Sequence, residues 1–247
     1  MLKIIFKLPL PVLMLLTVFF LIQCQTDECF NGVGSDEIMH KEIGYFRKIN
    51  FNGMFDVMLV QDTVCFVEFE GGKNMLQYVK AENTDSILWI DNSNSCLFLK
   101  DYKKIKLSVH FNNIDEAAFY GPCKIRTLYP ITDDFALIVP GQIADLDIEL
   151  NNSNFFYYNN GNTGGNYIFR GKCTNCNLQG YYLARIDASQ LITKTMIIEN
   201  HSVVDYYVRS EETLHASIYN RGNIYYYNDP KVIIDSIAGT GKVYKAK

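Results

Sequence analysis

Apolar and polar residues alternate along most of the chain beyond residue 45. Phe55-Asp-Val-Met-Leu-Val60 and Val64-Cys-Phe-Val-Glu-Phe-Glu70 are two apolar-rich runs separated by Gln61-Asp62-Thr63. Lys104 to His110 puts Ile105, Leu107 and Val109 on one side and Lys104, Lys106 and Ser108 on the other. A period of two over such short runs predicts strands with one buried face. Phe46–Ile49 and Ile87–Ile90 add strands, with breaks at Gly71-Gly72 and at the turn cluster Asp91–Ser95. The best helical candidate, Gly72 to Ala81, is short, and no segment after residue 24 sustains an amphipathic helical stripe over more than two turns.

From Ile114 to Tyr227 the pattern becomes repetitive. Ala117–Ile125, Phe135–Ile143 and Leu214–Ile224 each read as a short apolar strand, a tight polar corner and another strand. The corner residues Gly121 and Gly141 are 20 apart, as are Asn200 and Asn220, whereas Gly141 to Gly171 is 30 and Gly171 to Asn200 is 29. The expectation is a repeat stretched by insertions. A strand–corner period of this kind predicts a solenoid whose coils bury their apolar faces on one another.

Composition supports an all-β chain, with 17 Tyr and 16 Phe among 247 residues. The first residues stand apart. Lys3 and Lys7 form a basic head, and Leu8 to Ile22 is an uncharged apolar run, short for a membrane span and right for a secretory signal. The run ends in Leu21-Ile22-Gln23-Cys24, which resembles a bacterial lipoprotein signal with Cys24 as the lipidated residue; Gln23 departs from the small residue usual there. An ordinary signal peptide with a chance cysteine is the alternative. Removing residues 1–23 removes Lys3 and Lys7, leaving 21 basic against 27 acidic side chains. An acidic chain of this kind is a poor partner for nucleic acid. Gln25-Thr-Asp-Glu28 resembles the acidic export tag of some Bacteroidetes surface lipoproteins, and reads equally well as a solvated linker. Residues 24–44 lack periodicity and are expected to be a tether, leaving 45–247 as one domain.

One family resemblance covers roughly residues 45–245. Its ordered elements are Phe46-x-x-Ile49, Gly53-x-Phe55-Asp-Val57, Val67-Glu68-Phe-Glu-Gly71, Asn74-Met-Leu76, Leu88-x-Ile90 and Asn92-x-Asn94-x-Cys96. Lys106-Leu-x-Val109, the corner repeats, Gly222-Asn-Ile-Tyr225, Asn228-Asp-Pro230 and Gly239-Thr-Gly241 follow. In that order they resemble the GIN-domain family, the auto-transporter adhesin head domain, although Asn228 stands where a Gly is usual. The resemblance implies a single-stranded right-handed parallel β-helix in a Bacteroidetes envelope lipoprotein. It also implies a disulfide between Cys29 and Cys96, positions where the family commonly carries cysteine.

Cys65 and Cys123 lie in or beside strands and read as core. Cys173-Thr-Asn-Cys176 reads as a local disulfide or two free thiols, because nothing completes a zinc site and no helix N-terminus lowers a thiol pKa. His201 and His215 are close enough in repeat position to approach each other, yet no triad pattern accompanies them. Gly161-Asn-Thr-Gly-Gly165 joins strand to strand and is a loop. Asp145, Asp147 and Glu149 share one strand face, an arrangement that calcium-dependent polysaccharide lyases use. No Lys or Arg base stands beside them in the sequence, and a solvated face is the simpler reading.

Tyrosines recur in Phe155-Phe-Tyr-Tyr158, Tyr181-Tyr182, Tyr206-Tyr207 and Tyr225-Tyr-Tyr227, at intervals of 24, 25 and 19. In each adjacent pair one ring faces inward and the other outward. Tyr157, Tyr158, Tyr181, Tyr182, Tyr206, Tyr207, Tyr225 and Tyr226 are therefore the candidate ligand-facing aromatics, and stacking for stability alone is the competing account. The expected protein needs no metal or cofactor and has no catalytic residues. It is a non-enzymatic outer-membrane lipoprotein exposed at the cell surface, held by its lipid, with a glycan or protein ligand and a capacity for self-association at strand edges. A structural envelope component without ligand, and a β-helix carbohydrate-active enzyme, are the alternatives.

Overall fold

The computed structural model describes residues 32–94 and 104–247, so Cys24, Cys29 and Cys96 lie outside the described residues, and so does the expected disulfide. The strands are β1 (Asp36–Glu42), β2 (Lys48–Asn52), β3 (Phe55–Gln61), β4 (Phe66–Gly72), β5 (Val79–Thr84), β6 (Ile87–Asn92), β7 (Ile105–Phe111), β8 (Glu116–Phe119) and β9 (Cys123–Thr127). They continue with β10 (Phe135–Pro140), the bent β11 (Ala144–Asn160) and β12 (Gly164–Ser202), β13 (Tyr206–Arg209), β14 (Thr213–Ile218), β15 (Ile224–Tyr227), β16 (Lys231–Ile237) and β17 (Val243–Lys245). Among the described residues one short helix, α1 (Lys73–Leu76), lies where the helical candidate was expected; it buries Met75 and Leu76.

All seventeen strands belong to one sheet of mixed orientation that curls, barrel-like and nearly closed, around a single apolar core. The right-handed parallel β-helix expected for the whole domain is thus corrected. β1 runs antiparallel to β4, β4 antiparallel to β7, and β5 antiparallel to β6. The physical reason is that period-two alternation sets which face a side chain takes and is silent on the direction of the neighbouring strand. β1 also lies inside the stretch expected to be a tether, with every residue but Met39 exposed, so hydrophobic periodicity could not reveal it.

From β8 onward the strands pair with one another in parallel at nearly constant offsets, whereas β2 and β3 pair in parallel with strands 39 to 68 residues on. Phe135 is opposite Phe155, Tyr206 opposite Ile224 and Leu214 opposite Val232, offsets of 20, 18 and 18. The repeat is therefore not stretched by insertions. Gly161, with φ +68°, sits beside Gly141, with φ +73°, and continues the spacing set by Gly121 and Gly141. Gly171 belongs to another corner: it pairs with Leu150, its φ is +96°, and a Cβ there would run into the Leu150 carbonyl oxygen.

In-register inward residues form continuous columns. Phe51 stacks on Phe119 at 4.3 Å and 6°, and Tyr157 and Phe155 each pack tilted against Phe169. Such pairs contribute about 0.5–1.5 kcal/mol each beyond area burial. Buried corner amides satisfy the backbone where the chain turns. Asn200 Nδ2 donates to the carbonyls of Val204 and Asn223, and its Oδ1 accepts from the Ser202 N–H. Asn159 repeats the device, accepting from the Tyr181 N–H and donating to Thr163 Oγ1.

Candidate functional site: the outward aromatic columns

Parallel register places outward side chains from successive strands above one another, and this builds two aromatic columns, the first joined diagonally by Tyr158, which lies opposite Gln179. The first crosses β11, β12 and the residue following β14. Tyr158 meets Tyr181 edge-on at 5.8 Å, Tyr181 stacks on His201 at 4.1 Å and 6°, and His201 stacks on Tyr219 at 4.1 Å and 5°. The second crosses β13, β15 and β17. Tyr207 stacks on Tyr225 at 5.3 Å and Tyr225 on Tyr244 at 5.5 Å, with the Arg185 guanidinium 5.8 Å from the Tyr207 ring centre.

The eight candidate tyrosines therefore divide. Tyr158 and Tyr181 belong to the first column and Tyr207 and Tyr225 to the second, while Tyr157 and Tyr206 are buried in the core. Tyr226 packs partly buried against the core, and Tyr182 turns a corner half-exposed at φ +58°. The intervals of 24 and 25 arise because a series of Tyr doublets steps from one run of strands to the other. His201 and Tyr219 escaped sequence reasoning for the same reason. Their signal is the constant offset, since 181, 201 and 219 are one repeat apart.

Ring faces within the columns are consumed by mutual stacking, so what the columns offer outward is ring edges and phenolic hydroxyls. Beside the first column, Phe156 lies near-parallel to Tyr158 at 6.3 Å and opens onto a shallow groove of about 450 Å³, lined also by Asp134, Asn154, Asn175, Asn177 and Ile197. Asp134 Oδ1 accepts the backbone N–H groups of Ser153 and Asn154, and Oδ2 accepts from Asn154 Nδ2. Burial acts against its charge, but these hydrogen bonds outweigh it and hold the carboxyl below the usual range. Asn175 in turn donates to Asn154 Oδ1 at 3.0 Å. The groove thus joins an apolar wall to an ordered amide ladder.

The acidic row takes a different form from an open calcium site. Register sets Lys124 opposite Asp145 and Arg126 opposite Asp147. Arg170 forms an ion pair with Asp147, Arg126 pairs with Asp56 at 2.7 Å, and Asp145 accepts from the Asn166 N–H at 3.0 Å. Cations absent from the neighbouring sequence are therefore beside the row in space, and two of them are engaged in ion pairs. Among the described residues no three His, Cys, Asp or Glu side chains gather as a metal site.

His201 and His215 do not come together. His201 Nε2 lies 3.2 Å from Glu199, and His215 Nδ1 lies 3.3 Å from Asp235. Cys123, Cys173 and Cys176 are buried free thiols and Cys65 is half-buried. Burial pushes the Cys123 thiol up to about 12. Cys173 and Cys176 share a hydrogen bond that lowers the pKa of the first, while burial raises that of the second.

Residues 45–230 match the family model described as "Putative auto-transporter adhesin, head GIN domain". The chain belongs to the GIN-domain family. Solved structures agree in fold. An adhesin described as putative from Bacteroides fragilis superposes with a TM-score of 0.78 at 18% identity, covering 86% of this chain and 97% of that one. Another so described, from Parabacteroides distasonis, gives 0.67 at 17% identity over 86% and 98%. A "Putative lipid binding protein" from the same organism gives 0.54 at 16% over 87% and 98%. No curated protein matches the chain. The GIN match begins after β1 and ends before β16, so the antiparallel arm and the last two strands lie outside it.

Proposed function

We propose that this GIN-domain chain is a non-enzymatic ligand-binding or adhesion module of the bacterial cell envelope, carried on a lipid at Cys24 of an outer-membrane lipoprotein. Residues 1–23 would be its signal and the acidic stretch after Cys24 its spacer. The carrying observation is the outward, half-buried column Tyr158–Tyr181–His201–Tyr219 with the Phe156 groove beside it. An aromatic wall beside ordered amides and hydroxyl-bearing ring edges suits a saccharide or the polar surface of a protein. Membership of a family described as an adhesin head supports the same reading. A second reading, an envelope component without ligand, is favoured by the stacking itself, which already employs the ring faces.

Binding of the full chain to glycan arrays and immobilised matrix proteins, compared with Phe156→Ala and Tyr158→Ala, separates the two. Under the first reading binding falls at least tenfold while the melting temperature moves by only a few degrees. If no ligand is retained by the wild-type chain and only stability changes, the envelope-component reading replaces it. Protease treatment of intact cells, with a periplasmic protein as leakage control, tests surface exposure.

A further inference from the structure

The groove beside Phe156 is built by one outward column of residues and its neighbour. Asp134, Asn154, Asn175 and Thr195 all line it and lie 20, 21 and 20 residues apart, one to each pass of the chain. Adjacent strands are about 4.8 Å apart, so these four passes give the groove a length of about 14 Å. Two positions further along each strand from Asn154, Asn175 and Thr195 stand Phe156, Asn177 and Ile197, an alternation of apolar, amide and apolar. Phe156 keeps an open side, because Ala136, in register with it on β10, is too small to cover the ring. Both carboxylates of the groove are engaged. Asp134 accepts from Ser153 and Asn154, and Asp115 pairs with Arg47. No Lys or Arg lines the groove. What faces the opening is neutral: among the described residues no hydrogen bond takes up Asn175 Oδ1, Asn177 Nδ2 or Thr195 Oγ1.

We propose that this groove binds an uncharged, extended oligosaccharide running across the strands, its ring faces on Phe156 and Ile197 and its hydroxyls on Asn175, Asn177 and Thr195. The inference rests on the ligand-binding reading above and gives that site its ligand class. A sugar ring presents an apolar C–H face and a rim of hydroxyls, which matches apolar positions flanked by amides. A hydroxyl both donates and accepts, so one kind of group serves Asn175 Oδ1, Asn177 Nδ2 and Thr195 Oγ1 together. A glycan bearing carboxylates or sulfates would meet the Asp134 charge with no cation lining the groove to offset it. An extended peptide finds no strand to join, because β11 at Phe156 is paired with β10 on one side and β12 on the other. The groove is longer than a single ring, so successive rings add contacts.

The test screens the full chain on an array of neutral and anionic oligosaccharides and immobilised matrix proteins, and titrates the retained sugars by calorimetry as series of increasing length. The expected result is retention of neutral glycans alone, with affinity rising at least tenfold from the disaccharide to the tetrasaccharide. Asn177→Ala and Thr195→Val should each weaken binding at least fivefold. Thr174→Val, beside Asn175 in sequence but outside the groove, should leave it unchanged. Circular dichroism and the melting temperature of all three variants should match wild type, which separates lost contacts from lost folding. Retention of anionic glycans, affinity independent of length, or binding indifferent to Asn177→Ala and Thr195→Val would overturn the inference and leave the ligand-binding reading standing. Capture of a matrix protein with no glycan retained would do the same. If neither glycan nor protein is retained, both readings fall.

Discussion

The imidazole of His201 lies flat on the ring of Tyr219, centroids 4.1 Å apart and planes within 5°, with Tyr181 equally close on its other face. Replacing His201 by Ala opens a gap in the middle of the column and removes two stacked contacts. Each is worth about 0.5–1.5 kcal/mol, and the site is half-exposed, so urea denaturation followed through Trp89 fluorescence should show a loss of about 1–2 kcal/mol. Substitution at Tyr244, which ends its column and touches one ring, should cost less.

Asn200 is a stronger test of the corners. Asn200→Ala removes the partners of the Val204 and Asn223 carbonyls and the Ser202 N–H, all at a buried turn. A buried polar group left without its partner costs about 1–3 kcal/mol. The expected loss in chemical denaturation is about 2–4 kcal/mol, with the unfolding slope unchanged.

Gly180 and Tyr206 form a coupled pair. A Cβ at Gly180 would run into the Tyr206 hydroxyl and lie 2.7 Å from Ile186 Cδ1. Gly180→Ala should cost about 1–3 kcal/mol as overpacking. In a Tyr206→Phe background the cost should fall by roughly 0.5 kcal/mol or more, read as a non-additive double-mutant cycle.

His40 on β1 reaches Glu42 at 2.9 Å and Glu68 of β4 at 3.2 Å. Hydrogen bonds to Glu42 first and Glu68 second raise its pKa above 6.5. A raised histidine contributes its full stabilisation below its unfolded pKa and loses it as pH rises through the folded pKa. Amide exchange of β1, corrected for the intrinsic rate, should therefore show protection that is highest below about pH 6.5 and declines above it. His40→Gln should flatten that dependence.

Alkylation gives a further readout of packing. Among the described cysteines Cys65 should react first in the native protein, while Cys123, whose thiol burial raises to about 12, and the enclosed Cys173 and Cys176 should react only on unfolding. Thiol counting by mass spectrometry with and without denaturant measures this directly.

Strands with one buried face were legible from alternation alone, because burial of every second side chain imposes the period whatever the partner. β3, β6 and β7 lie where that pattern puts them, and the corner residues Gly121, Gly141, Asn200 and Asn220 announce the turns. β1 was not legible, since a strand exposed on both faces leaves no apolar trace. The GIN resemblance was carried by the order of short motifs rather than by any one of them.

Which strand lies beside which was decided in three dimensions. Whether β4 runs with or against β7 depends on how the chain returns after Asp62-Thr63-Val64, and alternation is the same either way. The aromatic columns follow from register: a residue's vertical neighbour is the one 18 to 21 positions on in the same run of strands, so Tyr181 meets His201 while Tyr206 stays in the core. In the same way Arg170 and Arg126 reach Asp147 and Asp56 across 23 and 70 residues of chain. Sequence by itself determined which runs alternate a buried with an exposed face and where the chain turns, because those depend on local polarity and backbone freedom. Only the tertiary structure decided strand direction and column membership, because each depends on contacts between residues far apart in the chain.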